Sequence, residues 1–166
     1  MDALRFSNTL YRTATAWAEN STCGRGKVGA VLFRHGRPLL STFNGAPEGA
    51  DHCLDVGCDL QVVQGFESCV RAVHAEENII TFAAKYGIAT DGASIFCTHA
   101  ACYTCARLMK IAGIVSFIYV TPYKHSLGLD YLLRHEVKVI KFDPTLADIG
   151  DALKEASQLA SETELK

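Results

Sequence analysis

A His-Ala-Glu run at residues 74–76 and a Cys-Tyr-Thr-Cys run at 102–105 are the parts of this 166-residue chain best suited to chemistry. One imidazole (His74) and two thiols (Cys102 and Cys105) make a three-ligand set of the nitrogen and sulfur kind that zinc prefers. Three protein ligands leave the fourth tetrahedral position open for water, which is the pattern of a catalytic rather than a structural zinc. Glu76 then stands beside the metal without having to bind it, and its carboxylate is available to move protons.

Helices must bring these groups together. Val73, Ile79, Ile80, Phe82 and Ala83 recur at helical spacing up to Gly87, so His74 is expected in the first turn of a helix. Cys102 and Cys105, three residues apart and followed by Leu108, Met109 and Ile111, are expected on one side of a second helix. The positive ends of both helix dipoles would then face one ion and favour the thiolate form a metal requires. Glu77 can serve as the ordinary first-turn acid, which leaves Glu76 with the motif position.

The remaining chain supplies a scaffold. Residues 3–19 carry Leu4, Leu10, Tyr11, Ala14 and Trp17 at helical spacing and predict an amphipathic helix in which Trp17 is a core residue. Two apolar runs joined at Arg34-His35-Gly36-Arg37 predict an antiparallel hairpin. After the His74 helix come a third strand (DGASIFCTH), the Cys-x-x-Cys helix, a fourth strand (VSFIYVTPY), a short helix over 126–134, a fifth strand (VKVIKF) and a closing helix over about residues 145–160. Alternating strands and helices imply parallel crossovers and a five-stranded sheet with helices on both faces. One domain spanning 1–166 is expected, with its core over about residues 5–142.

Residues 45–71 have no sustained periodicity, yet contain His52, Cys53, Cys58 and Cys69. With Cys23 these groups could clip the loop to the first hairpin around a second, structural zinc; buried free thiols are the alternative. Spacing does not decide which four bind. The four cysteines are the preferred set, with His52 as substitute. Arg25, Lys27 and Lys85 could be solvated charge, Phe82 and Tyr123 could be core, and the Asn44-Gly45 segment could be only a turn.

Bulk composition sets limits on function. The chain is 49% hydrophobic and 20% charged with a net charge of −2, which gives no polybasic footprint for long nucleic acid. No apolar run approaches the roughly 20 residues needed to cross a bilayer, and there is no signal-like opening segment, so a cytosolic protein is expected. Seven cysteines in a reducing compartment point to metal binding or buried thiols rather than disulfides.

The H-x-E and C-x-x-C pair resembles the signature of zinc-dependent nucleoside and nucleotide deaminases. Runs at 23–49 (CGRGKVGAVLFRHGRPLLSTFNGAPEG), 52–58, 69–80 and 102–114 extend the likeness to the deoxycytidylate deaminase family over roughly residues 5–125. Thr42-Phe43 stand where that family carries Gly-Tyr, and Ala101 where it carries Pro before the first cysteine. Free-nucleoside cytidine deaminases typically have Cys at the position of His74.

The resemblance implies a three-layer α/β/α cytidine-deaminase-like fold and a homohexamer that converts dCMP to dUMP for dTMP synthesis. It also implies activation by dCTP and inhibition by dTTP, with Mg2+ on the effector. Glu76 is the implied proton shuttle and Asn44 the deoxyribose contact. Phe82, Lys85 and Tyr123 fall near the substrate or a neighbouring subunit, and Arg25, Lys27 and Gly45 form the expected effector edge. Rival expectations are a deaminase acting on dCTP or on both nucleotides, one acting on a base in tRNA, and a catalytically silent zinc module.

Overall fold

A computed structural model describes residues 3–63 and 65–145; the closing helix expected over about 145–160 lies outside the described residues. The chain opens with helix α1 (Ala3–Ala18), then strands β1 (Gly29–Arg34) and β2 (Arg37–Phe43). His35 and Gly36 between the strands both have positive φ, at 50° and 69°. That pair of left-handed residues is what a two-residue turn needs to match the strand twist. Strand β2 is the edge of the sheet, where Pro38 removes no needed donor, and the register shifts beside it at Leu32/Phe33.

Next come a short helix α2 (Cys53–Val56) and a two-stranded ribbon, β3 (Leu60–Val63) and β4 (Phe66–Cys69). The ribbon corrects the expectation of an irregular loop over 45–71. Strand β3 is exposed along its whole length, so it buries no alternate face and leaves no period-2 pattern to read.

Helix α3 (Ala75–Tyr86), strand β5 (Ser94–His99), helix α4 (Tyr103–Ile111), strand β6 (Ser116–Thr121), helix α5 (Leu127–Arg134) and strand β7 (Lys138–Lys141) complete the described fold. The main sheet has five strands in the order β2-β1-β5-β6-β7. Strand β1 is antiparallel to β2 and to β5, whereas β5, β6 and β7 are mutually parallel.

Central strands are buried on both faces and alternate between two clusters. Ala30, Leu32, Ile95, Cys97 and Phe117 pack under α3, α4 and α5, while Val31 and Phe96 pack with Phe142 against Leu10 and Ala14 of α1. Three layers result, with the sheet in the middle. Trp17 is not core: it is 41% exposed and stacks on Phe43 with ring centroids 6.1 Å apart.

Gly128 of α5 holds the entrance of α4. A Cβ there would collide with the Ala101 carbonyl oxygen and lie 2.7 Å from the Cys102 oxygen. Gly128→Ala should therefore destabilise the fold by about 1–3 kcal/mol through overpacking, and shift Cys102. The expected outcome is a lower unfolding midpoint together with faster loss of zinc to a chelator. An unchanged midpoint and unchanged zinc retention would contradict the close packing.

Candidate metal centre and active site

His74 and Cys102 are the N-cap residues of α3 and α4. Each has extended backbone geometry, with ψ of 154° and 169°, so the side chain leaves the helix start instead of lying along its flank. His74 therefore precedes the first turn it was expected to occupy. Glu77 supplies the local cap, its Oε2 accepting from the His74 backbone N–H at 3.0 Å. Glu76 is thereby released from capping and turns inward, 4% exposed.

The sheet fixes the first of these helix starts. Thr42 Oγ1 donates to the Ala75 carbonyl at 2.8 Å, and Asn78 Nδ2 donates to the Phe43 carbonyl at 2.7 Å, tying α3 to the end of β2. Gly45 and Val73 exchange backbone hydrogen bonds of 3.1 and 2.9 Å, which draws the segment after β2 alongside the segment before His74. Helix α4 starts just beyond β5, where Ala100 N–H donates to the Thr121 carbonyl at 2.8 Å.

These anchors bring the three donors together. His74 Nδ1 lies 3.5 Å from Cys102 Sγ and 3.4 Å from Cys105 Sγ, and all three donor atoms lie within 4.8 Å of one another. With Zn–N near 2.0–2.1 Å and Zn–S near 2.3 Å, a tetrahedral nitrogen-to-sulfur edge is about 3.6 Å. The donor set fits zinc in both chemistry and spacing.

The same closeness shifts the protonation of the three donors and of Glu76. Cys102 falls to about 4, held there by hydrogen bonds from Cys105 and His74. His74 rises to about 9 through its hydrogen bond to Cys102, with Glu76 and Glu77 adding to the effect. Cys105 is pushed well above the usual thiol range by its hydrogen bond with Cys102 and by burial. Glu76 is raised to about 7, chiefly by burial, with His74 opposing. A carboxyl balanced near neutrality can both accept and deliver a proton.

Glu76, His74 and Cys102 line a cavity of about 240 Å³ whose other walls include Arg25, Asn44, Glu67, His99, Tyr123 and Lys124. Of the sequence-predicted substrate residues, Asn44 and Tyr123 reach this cavity. Asn44 is buried; its Oδ1 accepts from Val28 N–H at 2.8 Å and its Nδ2 donates to the Gly26 carbonyl at 2.9 Å. It therefore shapes the 26–28 wall while keeping a second amide hydrogen. Tyr123 lines the same cavity, and its phenol is raised by burial, with Cys102, Cys105 and Glu76 adding to the effect and Arg25 opposing it.

Phe82 and Lys85 do not line the cavity. Phe82 stacks on Tyr86 at 5.9 Å, and Lys85 reaches Glu48 at 3.4 Å. The expected effector residues divide as well. Arg25 belongs to the catalytic cavity, Lys27 is paired with Glu19 at 2.7 Å, and Gly45 is held in its bridge to Val73.

A second thiol cluster stands beside the first. Cys23, Cys53 and Cys58 bring their sulfurs within 4.8 Å of one another, and Cys69 joins from β4 with its Sγ 3.6 Å from that of Cys53. Burial, together with the neighbouring Cys69 and Cys58, pushes Cys53 up to about 12. His52 precedes α2 and is not one of the clustered groups. Cys97, the remaining cysteine, is buried in the sheet.

Residues without a sequence signal complete the lining. Glu67 and Ser68 come from the unforeseen ribbon, Lys124 is the neighbour of Tyr123, and His99 ends β5 with its pKa lowered by burial and its Nδ1 3.1 Å from Thr98 Oγ1. Only the Tyr123-Lys124 adjacency could have pointed to one of them.

Zinc binding must strip protons from this cluster. At pH 7 Cys102 is already a thiolate, whereas His74 and Cys105 each carry a proton the metal must displace. In a Cys53→Ser background, calorimetric zinc titration in buffers of differing protonation enthalpy should give two to three protons per zinc at pH 7, including the fraction on Glu76. The number should fall as pH rises past about 9, where His74 is already neutral. Release of fewer than one proton at pH 7 would contradict the assignment.

Comparison with known proteins agrees with the geometry. Residues 5–121 match the family model described as the cytidine and deoxycytidylate deaminase zinc-binding region. ComE operon protein 2 of Bacillus subtilis is 39% identical over 157 residues, covering 93% of this chain and 81% of that protein. A deoxycytidylate deaminase of Mycobacterium phage D29 is 35% identical over 114 residues, covering 64% of this chain and 87% of its own. The crystal structure of dCMP deaminase from cyanophage S-TIM5 in complex with dCMP and dUMP superposes with a TM-score of 0.74 at 29% identity, over 86% of this chain and 99% of that one. With the matched region running from α1 through β6 and containing both halves of the donor set, this chain belongs to the cytidine and deoxycytidylate deaminase zinc-binding family.

Proposed function

We propose that this protein is a deoxycytidylate deaminase that hydrolyses the C4 amine of dCMP, giving dUMP and ammonia. The observation that carries the reading is the buried Glu76 carboxyl beside the His74, Cys102 and Cys105 donors at one cavity wall. Relatives named deoxycytidylate deaminase, and a solved relative in complex with dCMP and dUMP, support the choice of substrate.

A zinc ion held by His74 Nδ1, Cys102 Sγ and Cys105 Sγ would lower the pKa of its water towards about 7, supplying a nucleophile at neutral pH. Glu76 takes a proton from the attacking water. It delivers that proton to N3 of the cytosine ring as C4 becomes tetrahedral, then carries another to the departing amine. The dry surroundings that raise its pKa suit it to both transfers. Tyr123 and Asn44 both line the cavity in which the base and the sugar would lie.

The second cluster, Cys23, Cys53, Cys58 and Cys69, has the four-thiol composition of a closed structural zinc site and is assigned that role. The reading also carries the family's regulation, with dCTP activating and dTTP inhibiting in a hexamer and Mg2+ accompanying the effector nucleotide. Light scattering, and saturation curves recorded with and without dTTP, test that extension.

One set of preparations tests the core of the reading. Wild-type protein should release ammonia from dCMP and contain close to two zinc per chain. Glu76→Gln should keep both metals and the fold while losing about 10³-fold or more in turnover, because only the proton shuttle is removed. Cys53→Ser should lower the metal content to one per chain. Turnover of Glu76→Gln within tenfold of wild type would refute the shuttle, and a stoichiometry of one that Cys53→Ser leaves unchanged would refute the loop metal.

A further inference from the structure

We propose that Cys53 and Cys69 form an oxidation site, at which a peroxide joins two thiols of the second cluster in a disulfide and displaces the loop metal. The inference deepens the loop-metal assignment above and gives that cluster a second, oxidised state.

The cluster has a fixed part and a movable part. Cys23, Cys53 and Cys58 form the compact group whose sulfurs all lie within 4.8 Å of one another, whereas Cys69 approaches through Cys53, at 3.6 Å. Leu54 N–H donates to the Thr22 carbonyl at 3.2 Å, which ties α2 to the segment carrying Cys23 through the backbone as well. Cys69 instead ends the ribbon, none of whose described residues belongs to either core cluster and on which no strand of the main sheet packs extensively. The ribbon's other ties run to side chains of exposed segments, Arg25 at 3.0 Å from the Glu67 carboxylate and Lys124 at 2.8 Å from the Glu67 carbonyl.

Exposure divides the roles of the pair. Cys69 is half-buried and lines the catalytic cavity, so a small oxidant entering there meets its sulfur, while Cys53 is 4% exposed. An accessible thiolate with a second thiol poised beside it is the arrangement of redox-sensing cysteines, and a thiolate that serves as a metal ligand is in the nucleophilic form. The catalytic donors differ, since Cys105 is fully buried and grouped with Cys102 and His74 around the other metal position.

The chemistry balances with the peroxide as the named oxidant. The Cys69 thiolate attacks one peroxide oxygen; an S–O bond forms, the O–O bond breaks, and the other oxygen leaves as hydroxide. The Cys53 sulfur then attacks the Cys69 sulfenic acid, forming the S–S bond and expelling a second hydroxide. Each sulfur loses one electron, and both hydroxides become water by taking up protons. Cys23 and Cys58 alone supply two ligands, short of the four that a closed zinc site uses.

The cavity registers the change. A disulfide holds its sulfurs at about 2.05 Å, so the pair must close by about 1.5 Å. The loosely packed ribbon takes up that movement and carries Glu67 and Ser68, both of which line the catalytic cavity. A misplacement of about 1 Å in such a wall can cost about 100-fold in rate.

Peroxide treatment of zinc-loaded wild type, Cys69→Ser and Cys53→Ser tests the proposal, with zinc release read by a colorimetric chelator and linkage by mass spectrometry. Proteolysis at acidic residues cuts at Glu67 and so separates Cys69 from Cys53. Wild type should yield a Cys53–Cys69 link about 2 Da lighter than the two free peptides and release about one zinc per chain. It should also lose about 10- to 100-fold in kcat/KM for dCMP, and a dithiol with added zinc should reverse all three changes. Neither serine variant should form a link. Linkage of Cys102 to Cys105 or of Cys53 to Cys58 instead, or zinc loss with every thiol unlinked, would overturn the site; undiminished kcat/KM in the linked protein would overturn its coupling to the cavity. A single zinc per chain before peroxide, with a Cys53–Cys69 link after it, would refute the loop metal and leave the oxidation site standing, whereas two zinc and no link would do the reverse.

Discussion

Two helices begin at the same point in space, and the site depends on that coincidence. His74 and Cys102 occupy N-cap positions, where the backbone is still extended and the side chain is directed away from the helix flank. The unpaired N–H groups of a helix start, and the dipole behind them, favour negative charge by roughly 0.3–1 kcal/mol each. Cys102 uses this directly, its sulfur accepting from the Cys105 backbone N–H at 3.5 Å. The sheet supplies the rigidity: antiparallel β1 and β5, buried on both faces, hold α3 through β2 and α4 through β5. A soft, compact donor set forms without any of the three ligands being adjacent to another in sequence.

That geometry also separates two neighbouring acids by environment. Glu77 folds back to its own helix start and does structural work, whereas Glu76 is enclosed with its pKa raised by burial. Chemically identical side chains one position apart thus differ in role because helical spacing sends one to the cap and the other to the cavity. His74 Nδ1 stands 3.5 Å from Cys102 Sγ and 3.4 Å from Cys105 Sγ, the spacing that a shared zinc ion requires. Gly128, by admitting the α5 backbone against Ala101 and Cys102, is the packing condition for that arrangement.

Much of this was legible in the chain. Helical periodicity around Ile79 and Ala83, the Arg34–Arg37 turn, and the apolar runs of β5 and β6 each bury a regular face, and regular faces leave a period in the sequence. The histidine and cysteine pair could be read because a tetrahedral metal constrains both residue type and spacing. The ribbon could not, since Leu60, Val62 and Val63 are exposed and alternate with nothing. Trp17 misled for the converse reason: its helical phase was right, but its ring stacks on Phe43 instead of entering the core. Glu67, Lys124 and His99 belong to no motif, and only the tertiary arrangement brings them to one cavity. Arg25 was expected on a separate effector edge, and its place in the cavity lining could not be read without the ribbon that carries its partner Glu67.

The most direct test of the central claim is the zinc environment itself. X-ray absorption at the zinc edge, recorded on protein in which Cys53→Ser has removed the loop cluster, reads the donors around the remaining metal. Two sulfurs at about 2.3 Å and two light atoms at about 2.0–2.1 Å, one of them exchangeable, are predicted for the ligand set of His74, Cys102 and Cys105 with an open fourth position. A shell of four sulfurs, or one with no sulfur, would contradict the assembly of this site from two helix starts.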